Sequence, residues 1–98
     1  MSDDEIRNLA FDFQNLLASG VTLSTASDWV ATVKSGTDAT PSDIVSGSAS
    51  ISGTKSIQTI DATAGEEGVT YWLRAVVTTS DSQTLSLIGT LTIDSAEV

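Results

Sequence analysis

Polar and apolar positions alternate with a period of two along most of the chain, most cleanly between Gly68 and Ile93. There Tyr71, Leu73, Ala75 and Val77 fall on one side of an extended backbone, and Trp72, Arg74, Val76 and Thr78 on the other. Successive side chains of a strand point to opposite faces, whereas a helix would need apolar positions about every 3.6 residues. After the small, polar interval Ser80-Asp81-Ser82-Gln83 the alternation resumes. Leu85, Leu87, Leu91 and Ile93 share a face with Gly89, and Ser86, Thr90 and Thr92 share the other with Ile88. Two such runs, rich in β-branched and aromatic residues and separated by a short turn-forming segment, predict a β-hairpin. Its inner face is apolar and its outer face amphipathic, which places it at the centre of a sheet.

The rest of the chain reads in the same key. Leu9, Phe11 and Phe13 alternate with Ala10, Asp12 and Gln14, giving a first half-buried strand. Asn15 to Gly20 breaks the pattern and suits a corner or one 3₁₀ turn that carries Leu16 and Leu17 into the end of the domain. Val21 and Leu23, then Trp29, Ala31 and Val33, read as two segments of one long edge that switches direction near Asp28. Ser35 to Asp43 is polar, carries Gly36 and Pro41, and reads as a surface loop. Ile44 to Gly53 has the weak strand propensity of a short or twisted edge. Ile57 and Ile60 are spaced by three, so a bulge or a register change must intervene if both face the core. Asp61 to Gly68 is the turn into the central hairpin. Ser2-Asp3-Asp4-Glu5 before Ile6 has the layout of a capping box, which allows one helical turn or an arm that orders against a partner. The organisation predicted is an N-terminal arm over residues 1–7, a single β domain over 8–93 and a tail over 94–98.

About seven short strands with turns every 8–12 residues or so are the signature of an all-β, immunoglobulin-like β-sandwich of antiparallel strands. Tyr71 lies two residues before Leu73, at the place a tyrosine takes at the entry to a central strand of that fold. Its hydroxyl is then expected to bond back to backbone near the preceding turn. No cysteine is present, so packing alone must hold the two sheets together.

Charge narrows the range of partners. Thirteen acidic residues against four basic ones give a formal net charge of −9, which repels phosphate backbones and anionic membranes. Neither nucleic acid nor a membrane is expected as a partner. The first residues are acidic where a secretory signal would be basic, and no apolar run approaches membrane-spanning length. Hydrophobic residues at 40% and charged ones at 17% suit a folded domain rather than a disordered one.

Catalytic chemistry has little to work with. The chain has no histidine and no cysteine, which removes the usual triads, thiol nucleophiles and zinc ligand sets. No phosphate-cradling glycine motif occurs, and Asp38 with Asp43 lacks the spacing of a calcium loop. The expectation is a non-enzyme with no cofactor and no metal. Interest moves to the tryptophans. Trp29 reads as core, whereas Trp72 and Arg74 point away from the face that holds Tyr71 and Leu73, a pairing suited to the centre of a protein interface. Ile6 and Arg7 in the arm are the other interface candidates.

Three blocks together carry a resemblance. They are Phe-x-Phe-x-x-Leu-Leu from Phe11 to Leu17, the Ser/Thr-rich middle, and Gly-x-x-Tyr-x-Leu-x-Ala-x-Val-Thr-Thr-Ser-x-x-Gln-Thr-Leu from Gly68 to Leu85. Over residues 8 to 93 they resemble small immunoglobulin-like virion proteins of tailed bacteriophages, of the fibre-tail adaptor type. Such proteins usually carry a Trp-Leu pair in the N-terminal block, where this chain has Asn15-Leu16-Leu17. The resemblance implies a structural part of the virion, assembled in the host cytoplasm, that joins tail, neck or fibre components. Its partners would be other phage structural proteins, in a multimeric, symmetric assembly. A capsid decoration protein and a module for host surfaces or glycans are the alternatives of neighbouring and of different class.

Overall fold

The computed structural model of the chain describes residues 1 to 94. Its strands are β1 (Ile6–Asp12), β2 (Leu23–Ala26), β3 (Val30–Ser35), β4 (Val45–Ser52), β5 (Lys55–Asp61), β6 (Thr70–Thr79) and β7 (Thr84–Thr92). Two antiparallel sheets result. The first has the order β1-β5-β4, and the second is built on β6. Strand β7 pairs with β6 without interruption from Thr70 opposite Thr92 to Thr78 opposite Thr84. Strands β2 and β3, opposite residues 77–79 and 70–74 of β6, therefore share its other edge. The inner faces meet in a core that includes Phe13, Trp29, Ile44, Ile60, Tyr71, Leu73, Val77 and Ile93. The all-β sandwich expected from the alternation is what forms, and the hairpin β6-β7 is its longest pairing. Among the described residues no helix is long and apolar enough to cross a membrane.

Three local expectations need correction. β2 and β3 are two segments of one edge, but the chain does not change direction between them. Both run antiparallel to β6, and only the register slips, from Ala26 opposite Val77 to Val30 opposite Arg74. The slip occurs where polar groups are claimed by the other sheet. Asp28 accepts a bond from the Ala49 N–H at 2.9 Å, the Trp29 N–H donates to Gln58 Oε1 at 3.3 Å, and the indole N–H donates to Ser56 Oγ at 2.9 Å.

The same bonds explain β5. Its pairing with β1 is unbroken, so no bulge brings Ile57 and Ile60 to one face. Ile60 is buried and Ile57 faces outward, with Ser56 and Gln58 taking the inner positions. Buried polar groups are tolerated when every donor and acceptor finds a partner. Gln58 Nε2 donates to the carbonyls of Ser46 and Gly47 at 2.7 and 3.1 Å, and Ser56 receives the Trp29 indole. At the end of β1, Phe13 seals the core. Leu16, in the 3₁₀ turn Gln14–Leu16, is exposed, and only Leu17 packs inward.

The N-terminal segment forms a single turn, not a helix. Glu5 Oε1 accepts from the Ser2 N–H at 2.8 Å, the reach-back bond of a capping box, which holds the Glu5 carboxyl below its ordinary range. β1 begins at Ile6, so Ile6 and Arg7 form the first rungs against Asp61 and Ile60 of β5. Of the tail, Asp94 bridges in parallel to Ser2, and residues 95–98 lie outside the described residues.

Tyr71 makes the bond expected of it and a second that the sequence did not suggest. Its hydroxyl accepts from the Glu66 N–H at 3.0 Å and donates to Asp38 Oδ2 at 2.6 Å, tying the loop before the 3₁₀ turn Pro41–Ile44 to the start of β6. Burial, and then the bond to Asp38, push the Tyr71 hydroxyl up to about 12. That hydroxyl, with the Thr40 N–H, holds Asp38 below the usual carboxylate range. The Asp38 carboxylate is thus engaged in bracing the loop.

A candidate docking face

The outward-facing positions of the second sheet line up across three strands. Register places Val30, Arg74 and Ile88 in one row, and Thr32, Trp72 and Thr90 in the next. Residues directly opposite on neighbouring strands have side chains within contact range. These rows enclose a shallow, solvent-open hollow of ≈ 390 Å³ lined by Val30, Thr32, Trp72, Arg74 and Ile88. Its apolar members are unusually bare: Val30 is 54%, Trp72 40% and Ile88 60% exposed. Lys34, two residues beyond Thr32 on the same face, sets its ammonium 4.9 Å from the centre of the Trp72 ring. A cation over an exposed indole contributes about 0.5–1 kcal/mol and restrains the ring's orientation.

Electrostatically this face is the opposite of the rest of the chain. None of the thirteen acidic residues falls in β2, β3, β6 or β7, and two of the four basic ones, Lys34 and Arg74, do. The other two are matched: Arg7 Nη1 lies 3.5 Å from Glu5, and Lys55 stands opposite Asp12 in the β1-β5 ladder. Lys34 and Arg74 have no carboxylate in ion-pair range among the described residues. An apolar floor of Trp72, Ile88 and Val30 with two unmatched cations has the make-up of an interface centre, where tryptophan and arginine carry most binding energy.

Trp72 and Arg74 thus stand side by side as the sequence placed them, on one exposed face. Ile6 and Arg7 are exposed too, but on β1 of the other sheet, with Ile6 61% exposed opposite Asp61. Trp72 and Arg74 share one face, whereas Ile6 and Arg7, adjacent on β1, have opposite parity and meet only at the edge of the first sheet. Reading single strands missed Val30, Thr32, Lys34 and Ile88. The parity of Ile88 was visible, but its position beside Arg74 is fixed only by the register of β6 on β7. Trp29, read as core, is buried against Phe11, with ring centres 4.7 Å apart.

No curated protein and no solved structure matches the chain. A family model does, over residues 1–95, and its description is "Podophage GP4 fiber-tail adaptor protein gp77".

Proposed function

This chain belongs to the podophage GP4 fibre-tail adaptor family, a structural component of the phage virion, and from that premise we propose that it joins its neighbours through the outer face of the second sheet. The observation that carries the proposal is the coincidence, on one face, of exposed Trp72, Ile88 and Val30 with the two unpaired cations Lys34 and Arg74. The matching partner surface is apolar at its centre and acidic around it. Burying Trp72 removes apolar area from water, and a partner carboxylate on Arg74 forms a charge-assisted bond. The strongly acidic remainder of the chain repels the same partner, so the orientation of docking follows from charge.

An adaptor needs a second contact, and the β1 edge of the first sheet, at Ile6 and Arg7, is our candidate for it. Repetition of the chain around a symmetric tail makes each contact count several times over, so modest single interfaces suffice. No step of this role calls for a catalytic group, a cofactor or a bound metal.

The experiment is complementation. Phage lacking the gene are supplied with wild-type protein or with the double variant Trp72→Ala/Arg74→Glu, and the particles are purified and imaged. Near-ultraviolet circular dichroism first establishes that the variant is folded. The expected result is a folded variant whose particles lack the fibre or the adaptor itself. Particles with normal fibres and full variant occupancy would overturn the assignment of this face.

A further inference from the structure

The outer edge of β7 is unpaired over residues 84–90 among the described residues. Because Ile93 donates to Val69 and accepts from Gly68, the odd-numbered residues of this strand turn their backbone groups toward β6. In an antiparallel ladder the alternate residues face the other way. The N–H and C=O groups of Thr84, Ser86, Ile88 and Thr90 therefore point to the free side, where no strand among the described residues pairs with them.

Proteins usually spoil such an edge with charge, proline or a bulge. The first sheet's edges show these devices, since β1 carries Arg7 and Asp12, and β4 slips register between Ser46 and Ser50. The β2-β3 edge is interrupted at Ser27 to Trp29. β7 has none of them: Thr-Leu-Ser-Leu-Ile-Gly-Thr-Leu-Thr is nine residues long, uncharged, free of proline and in unbroken register.

The chain itself already makes a single parallel bridge just beyond the end of β7. The Met1 ammonium donates to the Thr92 carbonyl at 3.1 Å, the Asp94 N–H to the Met1 carbonyl at 2.8 Å, and the Asp3 N–H to the Asp94 carbonyl at 2.8 Å. Thr92 and Asp94 belong to the same outward-facing set, so this parallel bridge uses the free side of the strand. Below it, an open cleft of ≈ 220 Å³ between the two sheets is lined by Leu9, Phe11, Trp29, Leu73 and Leu91, among others.

We propose that residues 84–90 of β7 accept an extended segment of a partner protein as an added strand. Backbone bonds to Thr84, Ser86, Ile88 and Thr90 would supply register. The segment's alternate side chains would be apolar, because they cover the cleft that β1 and β7 leave open. Its other side chains would include carboxylates, because they stand beside Ile88 with Arg74 one strand further in and no acidic residue on the sheet. A second copy of β7 would bring no such carboxylate, so the occupant is a different chain. This site rests on backbone geometry and goes beyond the face proposed above.

The test uses the intact protein and a capped peptide, Val-Glu-Val-Thr-Val-Glu-Val. Hydrogen exchange of the Ser86, Ile88 and Thr90 amides should slow roughly tenfold with the peptide at ten times its dissociation constant. A peptide N-methylated on the side that faces β7 should bind no better than an unrelated one, and lysine in place of its glutamates should weaken binding. Ser86→Pro, which removes an outward N–H that the β6 ladder does not use and keeps the Ile88 side chain, should fold and lose the peptide. Exchange unchanged by peptide, equal binding of the N-methylated form, or protection of these amides by dimerisation of the protein alone would overturn the proposal. The Trp72→Ala variant keeps Arg74 and the β7 backbone, so failure of the face and failure of the edge can be told apart.

Discussion

Replacing Tyr71 by Phe removes one oxygen atom and tests how the loop before Pro41 is held. The hydroxyl makes two bonds, one to an ionised carboxylate and one from a backbone N–H. Bonds to charged groups contribute about 1.5–3 kcal/mol and neutral ones about 0.5–1.5 kcal/mol. Asp38 is half-exposed and regains water when released, which places the expected cost of Tyr71→Phe at about 2–3 kcal/mol. For a domain of this size that corresponds to a fall in Tm of roughly 10–20 °C. The pH dependence is a sharper check. The folded hydroxyl is pushed up to about 12, against an ordinary value near 10. Stability from this shift is complete below about pH 10 and is lost as pH rises through the folded value. The two-unit difference amounts to about 2.7 kcal/mol. Tyr71 is the only tyrosine, so absorbance at 295 nm follows its ionisation without ambiguity. Ionisation of the folded protein near pH 10, or a Phe variant within about 0.5 kcal/mol of wild type, would refute the reasoning.

Gln58→Met keeps the volume but leaves the Trp29 N–H and the Ser46 and Gly47 carbonyls without their partner, so stability should fall by about 3 kcal/mol, read as a lower urea midpoint. A loss under about 1 kcal/mol would mean that water takes the place of the amide. Gly65→Ala should cost about 1–3 kcal/mol, because the new methyl would overlap Cδ1 of the buried Ile93 and stand 2.9 Å from Ile44 Cγ2 and 3.1 Å from the Tyr71 hydroxyl oxygen. On the acid side, Glu5, Asp12 and Asp38 are all held below their ordinary range by the bonds they accept. Their contribution is present above about pH 4 and is lost as pH falls below it, so urea midpoints should drop steadily toward pH 2, and less steeply in Asp38→Asn.

The hairpin β6-β7 was legible because its alternation is long and both faces are chemically distinct. Tyr71 was legible as far as its backbone bond, since that partner lies five residues away, whereas Asp38 lies thirty-three residues away. β5 misled for a physical reason: its inner positions are Ser56 and Gln58, polar residues made acceptable by Trp29 from the other sheet. Leu16 misled because Phe13 had already filled the end of the core. On the proposed docking face, Trp72 and Arg74 were visible from parity alone. Lys34, Val30 and Ile88 joined them only through lateral register, which alternation within one strand does not encode. The bonding of Met1 to Thr92 and Asp94 spans nearly the whole chain, and no local pattern announces it.

The outer face of the second sheet is the proposed surface through which this chain joins virion components. Cryo-electron microscopy of intact particles at side-chain resolution measures that directly. Trp72, Arg74 and Ile88 should be buried against an acidic-rimmed surface of a neighbouring protein at the junction of tail and fibre. The same residues facing open solvent in the assembled particle would contradict it.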